Sequence, residues 1–268
     1  YFLAALAEFL SAELDFPVPI DGLLVTNGAS AALDLLCTIY AKPGQTIFVE
    51  EPTYFLARRI FADHQLHLEA VPVDQDGLII DALEEKLARK KPQFLYTIPT
   101  FHNPASVTLS LKRRERLVNL ADQHNFLVIA DEVYHFLGYD LAPPQPLAPF
   151  SSQCEQVISV NSFSKILAPG LRLGWIQAHP EVISQLASTG LLDSGGGLNP
   201  YTSAVVLHLI QAIAQRGHVI VHVEVNDRGP PVLSWALRLQ ALIEHRSEAY
   251  QRQTRRRLTS PPAAPSGR

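Results

Sequence analysis

Residues 161–175, NSFSKILAPGLRLGW, form the most informative stretch of this chain of 268 residues. Lys165 lies there between two serines on one side and two apolar residues, Ile166 and Leu167, on the other, which is unlike the setting of an ordinary surface lysine. We expect such an amine to be desolvated, and desolvation favours the neutral, nucleophilic form. Arg172, seven residues further on, is of the type that binds phosphate through paired hydrogen bonds.

On both sides of this stretch, short apolar runs alternate with longer segments of helical periodicity. The runs predict strands at 23–26, 46–49, 67–73, 93–98, 126–130, 156–160 and 171–176. The longer segments predict helices at 29–40, 54–63, 79–90, 111–125, 180–187 and 202–215, after an amphipathic helix at 3–14. This order predicts an α/β fold with a mostly parallel sheet and helices on both faces. Ligands of such sheets bind at the carboxyl ends of the strands.

The segment NGAS, residues 27–30, follows the first predicted strand and opens a helix. Free backbone N–H groups at a helix start, with Gly28 allowing close approach and Ser30 adding a hydroxyl, make an anion site suited to phosphate. The alternative is an ordinary helix cap provided by Asn27 or Ser30.

Two further polar segments follow predicted strands. In FHNP, residues 101–104, the proline holds Asn103 extended so that its amide can point into a cleft, although a simple turn gives the same pattern. In ADEVY, residues 130–134, Asp131 ends an apolar strand and needs a cation or hydrogen-bond donors if it is buried, or else caps a helix.

The stretch SFSKILAPGLRLGW resembles the lysine motif of the fold type I, class I and II aminotransferases. The other three segments occur in that family's order and spacing, over roughly residues 1–215. The resemblance implies a large domain at 1–215 that binds pyridoxal 5'-phosphate (PLP), with the family's small domain largely missing. It also implies exchange of an amino group between an L-amino acid and a 2-oxo acid, in a homodimer.

The resemblance assigns a role to each matching residue. Lys165 would hold PLP covalently and later shuttle a proton, and Asp131 would pair with the ring nitrogen. Asn103 and Tyr134 would bind the ring's phenolic oxygen, and Tyr54 would stack on the ring, for which the alternative is an ordinary core aromatic. The phosphate would be held by Gly28, Ala29, Ser30, Ser162 and Arg172, with Ser164 contributing less directly.

The chain departs from the family pattern in two regions. After Asn103-Pro104, where relatives have Thr or Ser and then Gly, this chain has Ala105-Ser106. Residues 216–268 do not resemble the family, offer no match for its substrate-carboxylate arginine, and end in a tail at 261–268 that we predict to be disordered. The glycine-rich stretch 194–201 is typical either of a segment that approaches a neighbouring subunit or of a flexible loop.

Three alternative functions are open at this stage. A PLP-dependent lyase would use the same lysine, so product analysis is needed to distinguish it. A non-catalytic PLP-binding domain of a transcriptional regulator, or a truncated inactive product, would keep the binding residues without turnover. The sequence begins at Tyr1 and contains no methionine, which suggests a fragment or a processed chain.

Composition argues against several other classes. A net charge of −4 with interleaved signs argues against nucleic acid as a partner, and no apolar run approaches the ~20 residues of a membrane span. The ten histidines and two cysteines, Cys37 and Cys154, lack the spacing of metal ligands or disulfides. We therefore predict a cytoplasmic protein without a metal site, although targeting segments cannot be judged from this sequence.

Overall fold

The computed structural model describes residues 1–138 and 142–216. Their helices are α1 (Phe2–Leu14), α2 (Gly28–Tyr40), α3 (Phe55–Asp63), α4 (Ile80–Leu87), α5 (Leu111–His124), α6 (Phe163–Ile166), α7 (Pro180–Ala187), α8 (Gly190–Asp193) and α9 (Pro200–Arg216). The strands are β1 (Leu23–Thr26), β2 (Thr46–Glu51), β3 (His67–Asp74), β4 (Gly77–Leu78), β5 (Phe94–Thr97), β6 (Leu127–Asp131), β7 (Val157–Ser162) and β8 (Gly174–Gln177). Short 3₁₀ turns occur at Ile20–Gly22, His135–Leu137, Ala148–Ser152 and Pro169–Leu171.

The strands form one eight-stranded sheet in the order β1-β8-β7-β6-β5-β2-β3-β4. The central pairs, from β3 through β2, β5 and β6 to β7, are parallel, whereas β8 pairs antiparallel with both of its neighbours and β4 antiparallel with β3. The prediction of a mostly parallel sheet flanked by helices is confirmed.

Apolar side chains fill both faces of the sheet, which explains the unbroken apolar runs in the sequence. Along β5, Phe94 and Tyr96 pack into a core with α2, α3 and α7, while Leu95 packs into a second core with α4 and α5. Along β6, Ile129 faces the first core and Val128 the second. Successive residues of a strand point to opposite faces, so a strand buried on both faces shows no polar alternation.

Four strands bring the polar segments to one edge of the sheet. Strands β5, β6 and β7 run parallel, and β1 has the same direction because β8 lies antiparallel between β1 and β7. Their carboxyl ends are Thr26, Thr97, Asp131 and Ser162, and the residues that follow them lie along this edge.

The eighth strand begins later than its apolar run indicates. The prediction at 171–176 is wrong at its start, because the 3₁₀ turn ends at Leu171 and Arg172 has a left-handed backbone with φ of 47°. The strand begins only at Gly174, where the chain becomes extended. The short elements β4, α6 and α8 are too brief to produce a periodic pattern, and the sequence analysis missed them.

Within the described residues, no helix is both long and apolar enough to cross a bilayer. The chain divides into two compact units, Tyr1–Leu207 and His208–Arg268. The predicted C-terminal segment at 216–268, with its tail at 261–268, lies outside the described residues except for Arg216. The predicted domain boundary at 215 stays a prediction.

Candidate active site

The start of α2 and the loop before β8 meet in tight backbone contact. Gly28 has φ of +80°, and a Cβ added to it would come within 2.8 Å of Nη2 of Arg172. A Cβ on Gly174 would lie 2.9 Å from the Cα of Gly28 and 2.5 Å from the carbonyl oxygen of Asn161. Glycine at both positions therefore lets the helix start approach the loop that carries Arg172.

The first turn of α2 has free N–H groups. The N-cap residue, Asn27, makes no side-chain capping hydrogen bond. Asn27 therefore does not cap this helix in the way that the alternative interpretation of NGAS requires of it. Ala29 is half-buried and Ser30 is exposed, and the hydroxyl of Ser30 has no hydrogen bond within the described residues. A helix start of this kind, next to a guanidinium, attracts anions.

Ser162, Ser164 and Lys165 follow directly from β7. Ser162 caps the short α6, accepting from the N–H of Ser164 at 3.1 Å, and its own hydroxyl donates to the carbonyl of Leu173 at 3.2 Å. Arg172 reaches the Ser164 hydroxyl with an Nη1–Oγ distance of 3.4 Å. This chain of contacts joins α6 to the loop beside Gly28.

The expectation that Lys165 is desolvated is wrong. Its residue is exposed, because the preceding Phe163 turns into the core and leaves the lysine on the outer side of α6. Its ammonium lies 5.8 Å from the centre of the Tyr134 ring. No acidic side chain in residues 1–138 and 142–216 forms an ion pair with Lys165, so the amine is available to a ligand.

Asp131 is buried at the end of β6, with 5% of its surface exposed. Its Oδ2 accepts a hydrogen bond from the Tyr96 hydroxyl at 2.7 Å. Its Oδ1 is also buried but has no hydrogen-bond partner among the described residues. Burial raises the pKa of Asp131 to about 6, and the charge of Glu132 acts in the same direction. The Tyr96 hydrogen bond, the backbone N–H of Val133 and the charge of Lys165 act in the opposite direction.

Asn103, Tyr134 and Tyr54 lie at the same edge of the sheet as this carboxylate. The amide of Asn103 donates to the Tyr134 hydroxyl at 3.0 Å. Tyr54 immediately precedes α3 and interacts electrostatically with Tyr134, Asp131 and Arg172. Partial burial, Tyr134 and Asp131 raise the pKa of the Tyr54 hydroxyl, and the charge of Arg172 lowers it. The net shift is upward, so the hydroxyl is protonated at neutral pH. The structure thus brings residues from five separate segments of the sequence to one edge of the sheet.

A buried pair, Glu50 and His102, supports the loop that carries Asn103. Nε2 of His102 lies 3.0 Å from Oε2 of Glu50, and both side chains are 1% exposed. The Nδ1 atom of His102 accepts the N–H of Ala105 at 3.2 Å, so the ring proton is assigned to Nε2, facing Glu50. Glu50 also accepts from Thr97 and from the N–H of Ile98, each at 2.7 Å. The sequence analysis missed this pair.

The altered turn after Asn103 has a physical consequence. Ser106, at the position where the family has glycine, has a left-handed backbone with φ of 57°. Its N–H donates to the carbonyl of His102 at 2.6 Å, so the turn is closed despite the substitution. A left-handed non-glycine residue costs about 1 kcal/mol, which this loop tolerates.

A second buried pair, Arg114 and Glu132, lies just beyond the carboxyl end of β6. Glu132 accepts from the Ser159 hydroxyl at 2.7 Å and from the N–H groups of Leu147 and Ala148 at 2.7 and 3.1 Å. The Arg114 guanidinium lies 3.8 Å from Glu132, and both side chains are fully buried. Burial raises the pKa of Glu132, and the charge of Arg114 lowers it. This pair was also missed.

The glycine-rich stretch 194–201 folds back on α8. The N–H of Gly195 donates to Leu192 and that of Gly196 to Leu191, at 2.9 and 2.8 Å. With residues of α2 and the segment 25–27, this region lines a cavity of about 490 Å³. Whether the stretch approaches another subunit stays a prediction. No cluster of potential metal ligands occurs among the described residues.

Comparison with known proteins identifies related chains. The family model for aminotransferase class I and II matches residues 1–194. The chain is 41% identical to aromatic-amino-acid aminotransferase 1 of Thermococcus litoralis, over 68% of this chain and 45% of the relative. It is 29% identical to the uncharacterised HTH-type transcriptional regulator YdfD of Bacillus subtilis, over 91% of this chain and 49% of the regulator.

A solved structure supports the same relationship. The α-aminoadipate aminotransferase of Thermus thermophilus, complexed with N-(5'-phosphopyridoxyl)-L-leucine, superposes with a TM-score of 0.73 at 27% identity. The match covers 92% of this chain and 58% of that one. The chain therefore spans about half the length of these relatives.

Proposed function

We propose that this chain, which belongs to the class I and II aminotransferase family, binds PLP and exchanges an amino group between an L-amino acid and a 2-oxo acid. The observation that carries the proposal is the unpartnered Oδ1 of Asp131, buried at the edge where Lys165 is exposed. Buried polar atoms are rarely left unpaired, and a ligand with a positively charged ring nitrogen would pair this one.

The phosphate of the cofactor fits the contact between α2 and the loop before β8. Gly28, Ala29 and Ser30 would offer the N–H groups of the helix start, and Arg172 would supply a charge-assisted hydrogen bond. Ser162 and Ser164 would contribute hydroxyls, which lie next to this loop through contacts with Leu173 and Arg172.

The ring would lie over the carboxyl end of β6. Asp131 would pair through Oδ1 with the ring nitrogen. Asn103 and Tyr134 would bind the phenolic oxygen, since a hydrogen bond of 3.0 Å already holds these two side chains together. Tyr54 would stack on the ring, since its side chain, at the N-cap of α3, interacts electrostatically with Asp131 and Tyr134.

When bound, PLP supplies an electron sink for the negative charge that develops at the substrate Cα. Lys165 would hold the cofactor covalently, and its side-chain nitrogen, when not bonded to the cofactor, would take the Cα proton and return it. Asp131 would keep the ring nitrogen protonated. The ring of Tyr134 would restrict where the released ammonium or amine of Lys165 can move.

Borohydride trapping tests the proposal directly. The full chain is incubated with PLP, reduced and digested, and a phosphopyridoxyl adduct is expected on the peptide that contains Lys165. Lys165→Ala is expected to abolish this adduct, whereas Lys112→Ala, at an exposed lysine on α5, is expected to leave it unchanged. An intact protein that takes up no adduct at Lys165 would exclude the proposed role.

Substrate choice and assembly are part of the same proposal. The similarity to an aromatic and an α-aminoadipate aminotransferase makes aromatic and long acidic amino acids the first donors to test, each with a 2-oxo acid acceptor. A homodimer is proposed from the family. Both are measured with the full chain, by product formation and by molecular mass in solution.

A second candidate function is a PLP-binding domain of a transcriptional regulator. It is favoured by the similarity to YdfD, which extends over 91% of this chain. A Lys165 adduct that forms without turnover of any amino donor would support this candidate, whereas release of a 2-oxo acid would support the aminotransferase.

A further inference from the structure

The hydroxyl of Tyr96 makes the one side-chain hydrogen bond to Asp131 seen in the described residues. Tyr96 lies in β5 and Asp131 in the neighbouring strand, β6, where Tyr96 pairs with Ile129. Asp131 is two residues beyond Ile129 and therefore points to the same face. The tyrosine ring thus extends along the sheet to reach the carboxylate, with an O–O distance of 2.7 Å.

The hydroxyl is held as a donor. Tyr96 is 0% exposed, and burial together with the neighbouring Asp131 raises the pKa of its hydroxyl well above the ordinary value. Its ring packs edge-on against Phe61 at a centroid distance of 5.3 Å, which restricts rotation. At neutral pH the Tyr96 hydroxyl is therefore protonated and donates to Oδ2 of Asp131.

Two consequences follow for Asp131. Oδ2 is occupied, so the unpartnered Oδ1 is the oxygen left to bind a ligand. The donated proton also stabilises the negative charge of the carboxylate against its burial, which makes the carboxylate a weaker base.

We propose that Tyr96 is a positioning residue, which directs Oδ1 of Asp131 towards the ring nitrogen of the cofactor and keeps the shared proton on that nitrogen. The inference rests on the PLP binding proposed above. A proton between two bases resides on the stronger one. Without the Tyr96 hydroxyl, the carboxylate becomes more basic, so the N–H bond breaks, an O–H bond forms on Asp131, and the ring loses its positive charge.

The alternative is that Tyr96 only fills the core. Tyr96→Phe distinguishes the two roles, because it keeps the ring and its contact with Phe61 and removes only the hydroxyl. Tyr40→Phe is the matched control, since the Tyr40 hydroxyl donates to Gln185 at 3.0 Å on the outside of the molecule.

The test is the ¹⁵N NMR shift of PLP labelled at its ring nitrogen and bound to the full chain. The wild type and Tyr40→Phe are expected to give the shift of a protonated nitrogen, and Tyr96→Phe a shift towards the unprotonated value. A core-filling role predicts the same shift in all three proteins. An unchanged shift in Tyr96→Phe would overturn the inference and leave PLP binding intact, whereas failure of all three proteins to bind the label would refute the proposed function.

A second measurement applies if the Tyr96→Phe protein does not bind the labelled PLP. The ¹³C carboxyl resonance of Asp131 is titrated in the cofactor-free wild type and variant. Loss of a hydrogen bond to a charged group is expected to move the titration midpoint upward by about one pH unit or more. Equal midpoints would overturn the inference.

Discussion

Replacing Asp131 with asparagine is expected to stabilise the cofactor-free protein at pH 8 and to leave its stability at pH 4 nearly unchanged. The pKa of Asp131 is raised by burial to about 6, from an ordinary value of 3.8. The folded state therefore holds the carboxyl proton more tightly than the unfolded state does. The tighter binding of this proton stabilises the folded wild type fully below about pH 4, and this contribution to the unfolding free energy is lost as the pH rises through about 6.

The magnitude follows from the size of this shift. A difference of about two pKa units corresponds to about 3 kcal/mol of unfolding free energy. For a chain of this length, 3 kcal/mol corresponds to roughly 6–12 °C in melting temperature. Asp131→Asn has no ionisable group at this position, so the difference between variant and wild type is expected to grow by this amount between pH 4 and pH 8.

The assay is chemical and thermal unfolding of both proteins without PLP at the two pH values. Other titrating groups, including Glu132, are present in both proteins and cancel in the comparison. Asp63→Asn is the control, because it removes a carboxylate that is exposed at the end of α3. If the difference between wild type and Asp131→Asn is the same at pH 4 and pH 8, the carboxylate is not desolvated as described and the reasoning is refuted.

Three further variants test other contacts of the site and the core. Gly28→Ala places a Cβ 2.8 Å from a guanidinium nitrogen and is expected to weaken PLP binding at least about tenfold by titration. Gly44→Ala, at the same φ of about +80° with no atom within 4 Å, is expected to leave binding unchanged. Arg114→Met leaves Glu132 buried without its cation and is expected to lower the unfolding free energy in urea by about 3–5 kcal/mol. Adding Glu132→Gln is expected to restore part of that free energy. Ser106→Gly relieves a left-handed backbone and is expected to raise the unfolding free energy by up to about 1 kcal/mol.

The sequence was sufficient to predict the order of helices and strands and the edge that carries the polar segments. Strands buried on both faces give continuous apolar runs, and helices give a distinct period, so both can be recognised locally. The direction of a strand cannot be recognised from the local sequence, and the antiparallel pairing of β8 with β1 and β7 was not predicted. That pairing is what brings the start of α2 next to the loop of Arg172.

The hydrogen-bond and ion-pair partners of the site residues were the main features that the sequence did not predict. Tyr96 lies 35 residues from Asp131 in sequence, and Glu50 lies 52 residues from His102, as the numbering shows. Tyr96 lies inside an apolar run, which is typical of a core residue, and His102 lies in a polar segment that follows that run. In neither case does the local sequence indicate which distant group the polar atom will meet. The exposure of Lys165 was missed for a related reason, because apolar neighbours in sequence need not surround a side chain in space.

The two adjacent acidic residues at the end of β6 show how the sheet separates a structural role from a functional one. Successive residues point to opposite faces, so Asp131 and Glu132 enter different environments although they are neighbours in the chain. Glu132 is met by three hydrogen-bond donors and a cation, which satisfy both of its oxygens. Asp131 is met by one side-chain donor, the Tyr96 hydroxyl, and its Oδ1 is left buried without a partner among the described residues. Because a buried lone pair without a partner costs about 1–3 kcal/mol, the uneven pairing of the two carboxylates is the reason that we propose Asp131, rather than Glu132, as the ligand-binding residue.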